Sequence, residues 1–224
     1  LFPLLIFTSM ASGNFQVLDY LPLMAAGLAV MAGSGLIAWG VAGALGYNPH
    51  AFVPPMMFTN AINMGLPLTV FAFGADQLPA GVALAMVFNF AYLTVGIRIC
   101  APRAKLNGIL KSPMRWAMVA GVAMSLAGLA IPSWLFASMK MVGDSAIPLG
   151  LFTLGVTFAS FGIQRWRMGL VGAILCPLSD LLVAWPLTRI LPLPPAAQGL
   201  LLLYSALPPA VLTYVFAERY EQEP

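Results

Sequence analysis

Residues Pro54–Leu68 read PPMMFTNAINMGLPL. They lie inside an apolar run, roughly Ala51–Gly74, which has the length of about 20 residues needed to cross a bilayer. The run nevertheless opens on a proline pair and carries Thr59, Asn60 and Asn63 in its middle. A proline within a helix removes a backbone donor and clashes with the preceding turn. In lipid the freed carbonyls must be satisfied by protein or by a water-filled cavity. A single such proline reads as a simple kink, but the pair Pro54-Pro55 predicts a span broken near its middle. Gly65 and Pro67 are expected to end or bend the helix again. Thr59, Asn60 and Asn63 stand at i, i+1 and i+4, so Thr59 and Asn60 each lie near Asn63 on a helix surface. Amides both donate and accept. A broken helix would add the positive end of a half-helix to them, which suits an anion. Interhelical hydrogen bonding is the structural alternative for these asparagines.

Working outward, the motif repeats. PPAVLT (Pro208–Thr213) resembles PPMMFT (Pro54–Thr59), and PLGLFT (Pro148–Thr153) resembles PLLIFT (Pro3–Thr8). The pairs are offset by 154 and 145 residues, in the same order, as one duplication requires. Apolar segments fall at roughly 1–11, 21–45, 51–74, 78–97, 114–131, 136–161, 168–190 and 196–217, eight spans counting the partial first one. Five spans separate each pair. An odd number reverses direction, so the copies predict an inverted-topology repeat, a common architecture of secondary transporters. Pro208-Pro209 is then the second broken crossing, and Pro3 and Pro148 mark a further repeated break. Thr8 and Thr153 follow those breaks and are candidates to face the same cavity, with back-bonding to their own helices as the alternative.

Composition sets the solvent. The 224 residues are 61% hydrophobic and 8% charged. An ordinary soluble domain is about 25% charged, so the expected class is an all-α integral membrane protein, with the lipid bilayer as its first partner. Basic residues orient it. Arg98, Arg103, Lys105, Lys111 and Arg115 surround the fourth connection without an acid among them, which places loop 101–113 in the cytoplasm. Arg165, Arg167 and Arg219 fall on the same side, whereas Arg189 and Lys140 oppose the assignment. Lys140 and Asp144, four apart, are positioned to pair.

Other chemistries are poorly served. His50 is the only histidine, and Cys100 and Cys176 form no CxxC motif. No metal site, cofactor or nucleic-acid partner is therefore expected, and an intramembrane enzyme lacks a nucleophile with a base. Asp180 is different. It lies within an apolar span, after Pro177 and beside Ser179. A carboxyl group at that depth is costly and marks a candidate coupling site, for H+ or Na+, or else a capped structural group. Leu1 lies inside an apolar run rather than at an initiator methionine, which reads as a start within a longer protein.

Four stretches resemble the auxin efflux carrier family: LFPLLIF (Leu1–Phe7), NAINMGLPL (Asn60–Leu68), GDSAIPLGLFTLG (Gly143–Gly155) and SALPPAVLTYVFAERY (Ser205–Tyr220). The resemblance extends over the whole chain. It implies ten spans in two inverted sets of five, with residues 1–100 in the first repeat and 114–224 in the second. On that alignment span one, part of span two and span ten are missing. It also implies that Asn60 contacts substrate and that the 1–11, 114–131 and 136–161 spans form a scaffold. The remaining spans would move against that scaffold like an elevator. The implied substrate is a small organic anion, a mono- or dicarboxylate. The short 101–113 loop is closer to a bacterial permease of the plasma membrane than to the plant carriers. A homodimer, a sodium-coupled symporter of the related bile acid type, and a non-transporting sensor on the same fold are the further readings the resemblance leaves open.

Overall fold

The computed structural model describes residues 1–11, 17–100, 113–129, 131–160 and 166–210. The assignments made to 101–112, Arg165 and Arg219 lie outside them. The described residues form eleven α-helices: α1 (Phe2–Met10), α2 (Leu21–Leu45), α3 (Pro49–Met57), α4 (Leu66–Phe73), α5 (Leu78–Ala91), α6 (Ile97–Cys100), α7 (Pro113–Ala127), α8 (Ser133–Asp144), α9 (Ala146–Ser160), α10 (Trp166–Ile190) and α11 (Pro195–Ser205). Single π-helical turns, Ala61–Gly65 and Tyr92–Gly96, lead into α4 and α6.

Helix ends follow local chemistry. The α2 helix stops at Gly46, whose φ of 69° is the left-handed conformation that closes a helix without a Cβ penalty. The α3 helix starts at Asn48, whose side chain accepts from the His50 N–H at 3.0 Å, with Pro49 in the first turn where no N–H is required. Pro3 and Pro148 occupy the same tolerated place, in the first turns of α1 and α9.

The expectation of eight spans is met only in part. Four described helical stretches are long and apolar enough to cross a membrane: Leu18–Leu45, Ala75–Gly96, Ser133–Val156 and Leu170–Ile190. The apolar run 51–74 is divided at 58–60, and α11 ends at Ser205, so neither forms one long helix. The 136–161 run is likewise interrupted, by a turn at Ser145 between α8 and α9. Conversely, α10 runs unbroken through Pro177 and Pro186. Proline in a membrane helix need not break it when neighbouring groups satisfy the freed carbonyls.

The burial pattern is inverted relative to a water-soluble protein. Along α10 the exposed row is Leu170, Ile174, Leu178, Leu182 and Trp185, while the buried row is Cys176, Ser179, Asp180, Ala184 and Thr188. Likewise, α2 exposes Leu28, Leu36 and Trp39 and buries Ala26, Gly27, Ser34, Gly35 and Ala38. Small residues let membrane helices approach closely: a Cβ on Gly33 would sit 2.8 Å from the Val183 side chain of α10. The outer surface is therefore matched to lipid, and the polar groups are directed inward.

Packing divides the helices into two groups. The α1 helix packs chiefly on α7 and α8, whereas α2 packs on α3, α5, α10 and α11. The groups meet where α1 touches α5 and where α9 touches the 61–65 turn and α4. Lys140 and Asp144 form the expected ion pair on α8, 2.8 Å apart and substantially exposed.

A candidate substrate site at the crossing of two broken segments

The α3 helix carries Pro54 and Pro55 in its last turns and gives way to extended backbone at Phe58–Asn60. The break thus falls just after the proline pair. The α11 helix similarly gives way, after a turn at Ala206, to residues 208–210. These two breaks meet. Thr59 and Pro209 face each other in an isolated antiparallel bridge. The Asn60 N–H donates to the Pro208 carbonyl at 2.9 Å, and the Ala210 N–H donates to the Phe58 carbonyl at 2.8 Å. In this register the residues directly opposite one another exchange no hydrogen bond with each other. Pro209 occupies that position, so its missing N–H removes nothing from the bridge, while the Pro208 carbonyl serves as an acceptor.

Past the break the chain re-enters a helix at Ala61. The Asn60 carbonyl accepts from the Gly65 N–H at 3.0 Å and the Met64 N–H at 3.2 Å. Pro67 sits in the first turn of α4, so the helix passes from π to α geometry there and is not ended by Gly65 or Pro67. The N–H groups of Ile62 and Asn63 belong to the first turn and have no acceptor within the helix.

A hollow of about 390 Å³, counting the space at its mouth, opens beside the crossing. Thr59, Asn60 and Asn63 line it from the first break, Ala210 from the second, and Asn89 and Tyr92 from α5 and the turn that follows. Phe58 and Phe88 add aromatic walls, with Phe58 edge-on to Tyr92 at 4.9 Å between ring centres. Among the described residues the lining holds no charge. Thr59 and Asn60 are 5% and 3% exposed, yet Thr59 Oγ1 and Asn60 Nδ2 have no hydrogen-bond partner among the described residues. A buried polar group in that condition costs about 1–3 kcal/mol. Both residues lie at the wall of the hollow.

Other residues singled out in the sequence lie elsewhere. Thr8 donates to Leu4 and Leu5 carbonyls of α1, and Thr153 donates to the Leu149 and Gly150 carbonyls of α9. Neither lines the hollow. Asp180 is buried on α10, and Cys176, one turn earlier, is a free buried thiol 3.9 Å from the Leu207 carbonyl. Asn89 and Tyr92 were not anticipated. A polar asparagine in the apolar run 78–97 was the available signal, but only tertiary packing brings it beside Asn60.

The crossing is held by a second layer. Tyr204, fully buried on α11, donates to the Gly81 carbonyl of α5 at 3.0 Å and lies 3.2 Å from Thr69 Oγ1 of α4. A Cβ on Gly65 would come within 2.9 Å of the Tyr204 ring, so glycine is required for this approach. His50, at the start of α3, donates through Nδ1–H to the Ile99 carbonyl at 2.6 Å, fixing its tautomer and tying α3 to α6.

Comparison with known proteins places these features. Neither the curated proteins nor the solved structures gave a match to this chain. A family profile described as "Membrane transport protein" matches residues 105–224, more than half of the chain. The matched stretch includes α7 to α11 and the second break of the crossing. The chain therefore belongs to the membrane transport protein family, the auxin efflux carrier family whose motifs its sequence resembles.

Proposed function

We propose that this membrane transporter is a secondary carrier of a small organic anion, which it binds at the crossing through Asn60 Nδ2 and Thr59 Oγ1. The single observation that carries this reading is that both atoms are buried and unpartnered at the wall of the hollow. Buried polar groups are almost always satisfied, so an orphaned donor beside a hollow points to an absent ligand. The first-turn N–H groups of Ile62 and Asn63 add a positive helix end, which favours a carboxylate. The described lining supplies amides and aromatic rings, with no lysine or arginine among the described residues. Such a wall favours one carboxylate on a compact apolar body over two.

Alternating access follows from the same reading. The antiparallel meeting of two matched proline-pair segments supports an inverted repeat, with residues 1–100 and 114–224 as its halves. The separate packing of α1, α7 and α8 supports a scaffold against which the crossing and its neighbours move. The basic 101–113 loop is assigned to the cytoplasm of a bacterial cell. Uptake of labelled mono- and dicarboxylates into proteoliposomes tests the proposal. Asn60→Ala is expected to raise the half-saturating concentration of a carboxylate that the native protein moves by roughly 10- to 100-fold. Unchanged uptake would remove Asn60 from the site.

A further inference from the structure

We propose that Asp180 is a proton-binding site, wedged between α2 and α10 and adjoining the second arm of the crossing. Asp180 is the one acid among the buried polar residues described, at 2% exposure. Its Oδ1 has no hydrogen-bond partner among the described residues. The Ser34 hydroxyl of α2 lies beside the carboxyl group, placed to hydrogen-bond with it. Ser34 Oγ also donates to the Met31 carbonyl, 3.2 Å away. A hydroxyl has one hydrogen. If Ser34 gives it to Met31, the hydrogen between Ser34 and Asp180 must come from the carboxyl group. A proton on Asp180 thus completes a directed chain from Asp180 through Ser34 to the Met31 carbonyl. Loss of that proton turns the Ser34 hydrogen from Met31 toward the carboxylate and leaves the charge with that single neutral donor.

Among the described residues no countercharge faces that charged form. The α2 and α11 helices contain no charged residue. The only titratable side chain of α3 is His50, which is bonded to Ile99. On α10 itself, Arg189 lies nine residues away, about 13 Å along the axis at 1.5 Å per residue, and stacks on Trp185. Arg167 lies thirteen residues away in the other direction, about 20 Å. Tyr204 of α11 is bonded to Gly81. The nearest titratable neighbour is the Cys176 thiol, one turn along α10, which supplies no positive charge. An isolated charge in this setting is costly.

The same face of α10 reaches the crossing. The Cys176 thiol faces the Leu207 carbonyl, and the next residue, Pro208, accepts the Asn60 N–H. Separating α10 from α2 to hydrate Asp180 therefore disturbs the segment that completes the hollow. Proton binding and substrate binding are thereby linked, and each alters the other by the same factor. This linkage rests on the transport reading above; the proton site does not.

Infrared difference spectra of the protein in lipid nanodiscs, recorded as pH is varied, test the site without any substrate. An aspartic-acid carbonyl band, identified with isotope-labelled aspartate, is expected to titrate in the native protein. It should vanish in Asp180→Asn and shift in Ser34→Ala. The absence of a titrating band that Asp180→Asn removes overturns the proposal. Should Asp180→Asn fail to fold, a band unmoved by Ser34→Ala overturns it equally. If adding sodium at constant pH removes the band, the site takes sodium and the proton assignment is wrong. Where the native protein transports a carboxylate, Asp180→Asn is expected to abolish the pH dependence of the rate. Absence of transport in the native protein would count against the proposed function and leave the spectroscopic result standing.

Discussion

Asn60 has two tasks at once. Its main chain holds the crossing through the Pro208 carbonyl and closes the next helical turn through its own carbonyl, while its side-chain Nδ2 has no hydrogen-bond partner among the described residues. The main-chain bonds survive a change of side chain, so substitutions at this position separate binding from folding. A hydrogen bond to a charged group is worth about 1.5–3 kcal/mol, or roughly 10- to 100-fold in affinity. Asn60→Ala should weaken carboxylate binding by about that factor with little change in thermal stability. Asn60→Asp, similar in shape but anionic, should weaken it further, because an added negative charge repels a carboxylate and no basic residue is among the described lining. Equilibrium binding and thermal unfolding of the two variants check both expectations. The polar trio Thr59, Asn60 and Asn63 was legible in the sequence because it interrupts an apolar run. The relevance of Asn89 and Tyr92 was not, since they belong to another helix and no local pattern links them to residue 60. Thr8 and Thr153 look equivalent in sequence, but their hydroxyls are occupied by carbonyls of their own helices.

At the level of elements, the broken helices depend on close approach. Tyr204 can reach Gly81 and Thr69 only because Gly65 leaves room for its ring. Gly65→Ala would drive a methyl into a fully buried aromatic ring and is expected to cost about 1–3 kcal/mol, the usual penalty of overpacking. Thermal unfolding in lipid would register it, and Gly40→Ala, where nothing lies within 4 Å, is the control. The bridge itself can be trapped. Facing residues that exchange no hydrogen bonds in an antiparallel pair have Cα atoms about 4.5 Å apart, within the disulfide range of about 4.4–6.8 Å. Thr59→Cys with Pro209→Cys, on a background lacking Cys100 and Cys176, should therefore cross-link on mild oxidation, read as resistance to separation after cleavage between them. The α2 boundaries were legible because apolar length and Gly46 both mark them. The turn at Ser145 was marked only weakly: Lys140, Asp144 and Pro148 interrupt the apolar run around it, yet 133–156 is apolar enough on average to read as one span.

Across the whole molecule, the inward polar and outward apolar faces define what the fold tolerates. Removing a methyl group from a lipid-facing side chain forfeits little, because lipid tails are as apolar as the protein interior. Leu182→Ala should therefore change stability by less than about 1 kcal/mol, whereas Ala184→Leu, on the buried face of the same helix, should cost about 1–3 kcal/mol. Denaturation in mixed micelles would distinguish the two. This inversion was legible as composition, since 8% charge cannot cover a water-exposed surface. Which face of each helix turns inward was not, because nearly every position is apolar and periodicity carries little contrast. The central claim is that the crossing of two broken segments presents Asn60 and Thr59 to a carboxylate. Cryo-electron microscopy of the protein in lipid, with a saturating carboxylate that it transports, tests it most directly. The account predicts ligand density within about 3 Å of Asn60 Nδ2 and Thr59 Oγ1. Ligand bound elsewhere, with both atoms still buried and unpartnered, would contradict it.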